Sequence, residues 1–254
     1  MAKQRYKRIQ GGRLVREVLW TPTFPSDTPK QREAKTKISS AARKKINQRC
    51  AWQKLMMQLA ANFSPADLHV VLTYDDEHLP QTAADARKCM KKFLTALRKS
   101  RKSKGEELLY IYNMENRHGN KRIHHHLVIN GTGEDYELIR ALWPYGTDLS
   151  FERIDAYGYT GLAQYLTKEA REDGLPVGAR SWVPSLNLKK PEVAPTEWVP
   201  DSMKLDPPPN AYILERESQT NEFGRFEYIE YLLPELPLHQ KTRPRRKTKS
   251  NKAL

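Results

Sequence analysis

The stretch 107–131, ELLYIYNMENRHGNKRIHHHLVING, decides how the rest of the chain is interpreted. It contains two apolar runs, LLYIYNME and RIHHHLVIN, on either side of a short polar segment around Gly119-Asn120. Glycine and asparagine favour the tight turns of β-hairpins, so the sequence predicts two antiparallel strands. If these two residues form the centre of the turn, counting outward sets Glu115 directly opposite His124.

The predicted register brings three metal-ligating side chains together. Directly opposed residues of an antiparallel pair share a face of the sheet, with Cβ atoms about 4.5–5.5 Å apart. Side chains alternate along a strand, so His126 shares the face of His124, whereas His125 points to the other face. Glu115, His124 and His126 are therefore predicted to form a three-ligand metal site with open positions for a substrate. The prediction depends on the turn, because one extra turn residue would move Glu115 off that face.

Composition points to a polyanionic partner. The chain has 254 residues and a formal net charge of +14, and its basic residues are clustered, which favours nucleic acid as the partner. No apolar run approaches the about 20 residues of a membrane span, and no signal peptide opens the chain. We therefore expect a cytoplasmic protein without membrane contact, in which Cys50 and Cys89 are reduced thiols.

The order of predicted elements indicates an α+β fold. From 68 to 154 the order is strand, helix, strand, strand, helix, strand, which is the split βαβ, ferredoxin-like (RRM-like) arrangement. It predicts an antiparallel sheet with helices on one side and with the first and third strands in the centre. The predicted elements are a preceding helix over 36–63, strands at 68–74 and near 147–154, the hairpin, and helices over 82–104, 133–143 and 158–172.

The predicted core, 36–175, has extensions on both sides. Residues 1–35 form a basic N-terminal arm in which LVREVLWTPTF is expected to be one edge strand. Residues 176–240 form a Pro-rich C-terminal extension, and its segments AYILERE and FGRFEYIEYLL are expected to pair as a late hairpin. The tail, 241–254, is basic and expected to be disordered until it meets a phosphate backbone. The basic flank of the preceding helix is either a solvated surface or a DNA contact.

A tyrosine and a lysine in the last predicted helix stand out. Tyr165 and Lys168 are three residues apart, so they share one face of that helix. A tyrosine hydroxyl, with a pKa of about 10, is a weak nucleophile, and a nearby metal and cation help it attack a phosphate. Such pairs are common on ordinary helices, but beside a His-x-His strand the combination is far more specific.

Three segments resemble the sequence motifs of a known enzyme superfamily. LTYDDEHLP (72–80), RIHHHLVIN (122–130) and GLAQYLTKEA (161–170) are similar to motifs one, two and three of HUH endonucleases, the rolling-circle replication initiators of phages and plasmids. The likeness is strongest to prophage replication-associated proteins of Gram-positive bacteria. It extends over roughly 36–192, and includes KINQRCAWQKLMMQLAANF upstream and SLNLKKPE at 185–192.

The resemblance implies a chemical role for each candidate residue. His124 and His126 would hold a divalent cation, with Glu115 as the third ligand. Tyr165 would attack a phosphodiester of single-stranded DNA at a replication origin, which leaves a 5′-phosphotyrosyl link and a free 3′-OH, and the reverse reaction would religate the strand. Lys168 would position or charge-stabilise the reacting groups.

The cation and the partners follow from the same chemistry. Imidazole ligands suit transition metals, whereas phosphoryl chemistry and cellular abundance favour magnesium or manganese, so we expect Mg²⁺ or Mn²⁺. The sequence has no Gly-x-x-x-x-Gly-Lys-Ser/Thr loop, so we expect no ATPase or helicase activity in this chain. A host helicase and a polymerase would have to be recruited.

One departure from the superfamily leaves alternatives open. Some initiators carry Tyr-x-x-Lys-Tyr-x-x-Lys, but here the first tyrosine and first lysine positions hold Gly161 and Gln164, so this chain resembles a single-tyrosine enzyme. Tyr157 and Tyr159 lie just upstream as candidates for a second nucleophile. The competing interpretations are a single-tyrosine transposase or relaxase, a non-catalytic nucleic-acid-binding module, and a phosphodiesterase that uses water.

Overall fold

The coordinates are those of a computed structural model. It describes residues 3–21, 40–115, 122–155, 158–168, 181–221 and 224–234, without the side chains of 3, 40–48 and 221. The elements in chain order are β1 (Lys3–Gly11), β2 (Leu14–Trp20), α1 (Ser40–Asn62), β3 (Leu68–Leu72), α2 (Ala83–Ser103), β4 (Tyr110–Glu115), β5 (His124–Ile129), α3 (Asp135–Leu142), β6 (Leu149–Arg153), α4 (Thr160–Leu166), β7 (Val183–Pro184), β8 (Glu192–Val193), β9 (Glu197–Pro200), β10 (Tyr212–Asn221) and β11 (Gly224–Leu232).

The predicted ferredoxin-like sheet is confirmed. Strands β6, β3, β5, β4 and β7 form one antiparallel sheet in that order, so the first and third strands of the split βαβ unit are central. Strand β7 adds a short fifth strand beside β4 that the sequence did not predict. The hairpin register also agrees, since Glu115 lies opposite His124. The predicted turn at Gly119-Asn120 falls in 116–121, outside the described residues.

Helices α2 and α3 cover one face of this sheet. The apolar side chains at alternate positions of the central strands, including Val70, Leu72 and Leu127, pack against the apolar stripe of α2. That stripe recurs at helical spacing and comprises Ala86, Met90, Phe93, Leu94 and Leu97. Since side chains alternate along each strand, the opposite face of the sheet carries the histidine pair.

A fully buried ion pair fixes the two covering helices to each other. The Arg101 guanidinium donates to Asp135 Oδ1 at 2.5 Å and to Asn130 Oδ1 at 2.6 Å. The other Asp135 oxygen accepts from the backbone N–H of Thr132 at 2.6 Å. Both charged side chains are almost completely excluded from solvent, so each depends on the other for compensation.

A second sheet lies outside the predicted core. Strands β10, β11, β2, β1 and β8 pair in that order, and β9 also pairs with β1. The predicted late hairpin is confirmed as β10 and β11. The prediction of one edge strand near the N-terminus was wrong, because two strands form there and β2 is interior, between β1 and β11. The pairing joins residues as distant as Trp20 and Phe226, which short-range sequence patterns do not reveal.

Helix α1 joins the two sheets. Its buried residues contact Leu14 and Leu232 of the second sheet, and Ile111 and Val128 of the ferredoxin-like sheet. The turn between β1 and β2 approaches α1 so closely that a Cβ on Gly11 would lie 2.4 Å from the carbonyl oxygen of Met57. Glycine is therefore required where this turn meets the helix.

The ends of the predicted elements are only partly described. Helix α4 begins at Thr160 and ends at Leu166, shorter than the predicted 158–172, and 169–180 lie outside the described residues. The predicted basic tail, 241–254, also lies outside them. Among the described residues, no helix is both long and apolar enough to span a bilayer.

Candidate functional site

The three predicted metal ligands converge on the face of the sheet opposite α2 and α3. Glu115 Oε2 lies 2.8 Å from His124 Nε2 and 3.3 Å from His126 Nε2. One ligand atom from each residue lies within 4.8 Å of the other two. The carboxylate is the last residue of β4 and the histidines begin β5, so the cross-strand register by itself brings the three side chains together.

The hydrogen bonding of His124 suits a metal ligand. Its Nδ1 lies 3.1 Å from the backbone carbonyl oxygen of Arg122. A carbonyl can only accept, so Nδ1 carries the proton and Nε2 presents its lone pair toward Glu115. Metal-bound imidazoles have this arrangement, with the second ring nitrogen donating to a carbonyl or carboxylate.

His126 lies deeper in the protein than His124. Its side chain is almost fully buried, and burial is the main cause that lowers its pKa to about 4. The ring is therefore neutral at neutral pH, as a ligand must be. Its Nδ1 faces another imidazole, because His69 Nε2 lies 3.2 Å away.

His69 and Glu152 belong to this site and were missed in the sequence. His69 is buried, and burial lowers the pKa of its imidazole. Its Nδ1 lies 3.6 Å from Glu152 Oε2, on the neighbouring strand β6. The signal was the histidine within the apolar run LHVVL, at a position that faces away from Val70 and Leu72. Linking it to His126 requires the register of β3 with β5, which the sequence did not provide.

Tyr165 lies directly beside the histidine pair. Its ring is edge-on to the ring of His126, with centroids 5.0 Å apart, and its centroid lies 6.2 Å from that of His69. The side chain is 50% exposed, so solvent and ligands reach it. The predicted nucleophile and the predicted metal ligands thus lie together on one face of the sheet.

Helix α4 is held over the sheet by its buried side and by a hydrogen bond. Ala163 and Leu166 pack in the core cluster of α1, while Asn113 Nδ2 on β4 donates to the carbonyl oxygen of Leu166 at 2.8 Å. Asn113 is opposite His126 in the sheet, so one strand position links the tyrosine helix to the ligand strand. Lys168 lies two residues beyond the end of α4 and is exposed, and its part in the site stays a prediction.

His125 and Tyr159 have structural roles. His125 lies on the other face of the sheet, as predicted, where its Nε2 is 2.8 Å from the Tyr74 hydroxyl. The hydroxyl of Tyr159 donates to the carbonyl oxygen of Phe63 at 2.5 Å, and burial raises its pKa. Both effects make Tyr159 a poorer nucleophile than an exposed tyrosine. Tyr157 lies outside the described residues.

The aromatic residues considered for base stacking are core residues. Trp143 is 2% exposed and its indole N–H donates to the carbonyl oxygen of Thr73. Tyr145 packs against the same cluster, and Trp52 packs against the cluster around α1. None of the three presents an open ring to solvent in the way that stacking on a base requires.

Comparison with known families agrees with this site. Residues 67–170 match the family model for the replication-associated protein ORF2. This segment belongs to that family of replication initiators. It covers less than half of the chain, but it runs from β3 to α4 and beyond, and so includes Glu115, His124, His126, Tyr165 and Lys168. Searches among curated proteins and among solved structures found no significant match.

Proposed function

We propose that this protein is a rolling-circle replication initiator of the HUH type. In this proposal it nicks single-stranded DNA at a replication origin through a 5′-phosphotyrosyl intermediate, and religates it. The observation that carries the proposal is the placement of Tyr165 beside His126, within a family whose members are replication-associated proteins. A tyrosine beside a cluster of metal-ligating side chains is what transfer of a DNA strand requires.

The donor set fits Mg²⁺ or Mn²⁺ as the cation. Glu115, His124 and His126 would hold it, because their ligand atoms already lie close together and His124 has the tautomer of a ligand. Three protein ligands leave further positions for phosphate oxygens. When bound, the cation would polarise the scissile phosphate and neutralise charge that develops on it.

The role proposed for Tyr165 is nucleophilic. Its hydroxyl oxygen attacks the phosphorus, the bond from phosphorus to the 3′-oxygen breaks, and the 5′-phosphate becomes esterified to the tyrosine. The phenolic proton passes to solvent and the departing 3′-oxygen takes up a proton. Attack by a 3′-OH on the phosphotyrosine reverses these steps and religates the strand.

Exposure of Tyr165 and burial of His126 suit these separate tasks. The tyrosine needs contact with a large substrate, and half of its side chain is accessible. The deeper histidine is excluded from water, which strengthens electrostatic interactions at this end of the site. Lys168, exposed just beyond α4, is proposed to stabilise charge on the phosphate or the phenolate.

Non-specific DNA binding is proposed to arise from charge rather than from stacking. The net charge of +14 predicts salt-dependent binding to phosphates. Part of this charge lies on α2, whose exposed basic residues are on the side of the sheet away from the metal ligands. These residues therefore suit contacts with DNA that continues around the protein, and they are Arg87, Lys88, Lys91, Lys92, Arg98 and Lys99. A host helicase and polymerase would act on the nicked product.

A covalent-adduct assay tests the proposal. Purified protein is mixed with single-stranded DNA from its own genetic element and Mn²⁺, and a denaturant-resistant protein–DNA band is measured. We expect a band that is lost in Tyr165→Phe and in the presence of a chelator. DNA cleavage without a band would instead favour a hydrolytic phosphodiesterase. Binding that is insensitive to chelator, with neither cleavage nor a band, would favour a non-catalytic module.

A further inference from the structure

A row of polar side chains continues inward from the proposed metal ligands. His126 Nε2 faces Glu115, and the opposite ring nitrogen, Nδ1, lies 3.2 Å from His69 Nε2. On the far side of the His69 ring, Nδ1 lies 3.6 Å from Glu152 Oε2. That last distance is slightly longer than a hydrogen bond, and rotation of the exposed Glu152 side chain closes it.

The two histidines share one hydrogen bond, so the tautomer of one fixes the tautomer of the other. A ligand imidazole needs a lone pair on the metal-facing nitrogen, which requires the proton of His126 to be on Nδ1. His69 Nε2 must then accept, and the proton of His69 must be on its Nδ1. That is the nitrogen facing the carboxylate of Glu152, which can only accept.

The competing tautomer has a partner of its own. If the proton of His126 were on Nε2, it would point at Glu115 Oε2, 3.3 Å away. That arrangement blocks the lone pair that a cation needs. An acceptor on the Nδ1 side of the ring is therefore required to oppose the attraction of Glu115, and His69 Nε2 is the atom that lies there.

We propose that His69, held by Glu152, is a positioning residue that keeps His126 in the tautomer with its proton on Nδ1. The inference rests on the proposed function, since it assumes that Glu115, His124 and His126 bind a cation. His124 obtains the same tautomer from the carbonyl of Arg122. The two ligand histidines thus use different outer partners, a backbone carbonyl near the surface and a side-chain pair in the interior.

Two variants of His69 separate an acceptor from mere packing. In His69→Gln the side-chain amide oxygen reaches about where Nε2 was and accepts from His126. His69→Leu fills a similar space and cannot accept. We expect His69→Leu to bind Mn²⁺ about 10–100-fold more weakly in calorimetric titration, the usual cost of losing such an outer partner, while His69→Gln stays close to wild type.

The outer carboxylate has a matched control. We expect Glu152→Ala to weaken Mn²⁺ binding less than His69→Leu does, because the Glu152 side chain is exposed and water replaces part of its function. Glu137→Ala removes the same charge from an exposed position of α3 and is expected to leave the affinity unchanged. Because Glu152 is exposed, its variant keeps the inference testable if a His69 variant fails to fold.

A metal-independent measurement reads the tautomer itself. Imidazole ¹⁵N shifts of the metal-free protein are expected to report His126 protonated on Nδ1 in wild type and in His69→Gln, and shifted toward the Nε2-protonated form in His69→Leu. Equal Mn²⁺ affinities and equal ¹⁵N shifts in wild type and His69→Leu would overturn the role of His69 and leave the metal site intact. Failure of the wild-type protein to bind Mn²⁺, with unchanged shifts, would overturn the proposed function together with this inference.

Discussion

The ring of Tyr165 lies edge-on to the ring of His126, with their centroids 5.0 Å apart. One residue comes from α4 and the other from the central strand β5, so this contact depends on how α4 docks on the sheet. Core packing of Ala163 and Leu166 and the hydrogen bond from Asn113 produce that docking. The proposed chemistry is thus tied to elements that are far apart in sequence.

The first prediction concerns metal binding. Glu115→Gln removes the charge whose oxygen lies between His124 Nε2 and His126 Nε2. We expect Mn²⁺ affinity, measured by calorimetry, to fall at least about tenfold, because a charged oxygen ligand is replaced by a neutral one. Glu137→Gln, an exposed change on α3, serves as the control. Unchanged affinity in Glu115→Gln would exclude Glu115 as a ligand.

The second prediction separates the two tyrosines of this region. Tyr159→Phe removes a hydroxyl that donates to the carbonyl of Phe63. We expect it to lower the free energy of unfolding by about 1 kcal/mol, the usual net worth of one hydrogen bond, and to leave adduct formation and religation near wild type. Loss of religation with nicking intact would make Tyr159 the second nucleophile that the sequence left open.

The third prediction concerns docking of the tyrosine helix. Asn113→Ala leaves the carbonyl of Leu166 without its donor in a buried place, which costs about 1–3 kcal/mol. If about 1.4 kcal/mol of this positions Tyr165, the rate of adduct formation falls about tenfold, with Mn²⁺ affinity unchanged. Ser150→Ala, an exposed change on the edge strand β6, is the control. A rate equal to wild type would show that packing alone positions the helix.

The fourth prediction concerns the stability of the core. Arg101→Met leaves Asp135 buried without its cation, which costs about 3–5 kcal/mol of unfolding free energy. The exposed pair of Lys104 and Glu134 joins the same two regions, and Lys104→Met is expected to leave the denaturation midpoint almost unchanged. Similar midpoints for the two variants in urea denaturation would contradict the structural role of the buried pair.

The local part of this architecture could be predicted from the sequence, whereas the long-range part could not. The two-residue turn centre sets the pairing of Glu115 with His124 by simple counting, and alternation puts His125 on the other face. The element order gives the central position of β3 and β5.

The missed features share one cause, which is pairing between distant segments. The second sheet joins Trp20 to Phe226, and no periodicity in either segment names its partner. His69 reaches His126 only because β3 and β5 pair in a particular register, with Val71 opposite His126. A sequence pattern shows which face a residue takes, but not which strand lies beside it.

The most direct test of the account is to find which tyrosine carries the DNA. Cleavage by trypsin after Arg153 and Lys168 gives one peptide, 154–168, that contains Tyr157, Tyr159 and Tyr165. After adduct formation and nuclease digestion, fragmentation of this peptide by mass spectrometry locates the remaining nucleotide. We predict that the nucleotide is on Tyr165. A nucleotide on Tyr157 or Tyr159, or an unmodified peptide from a reaction that has cleaved its DNA, would contradict the account.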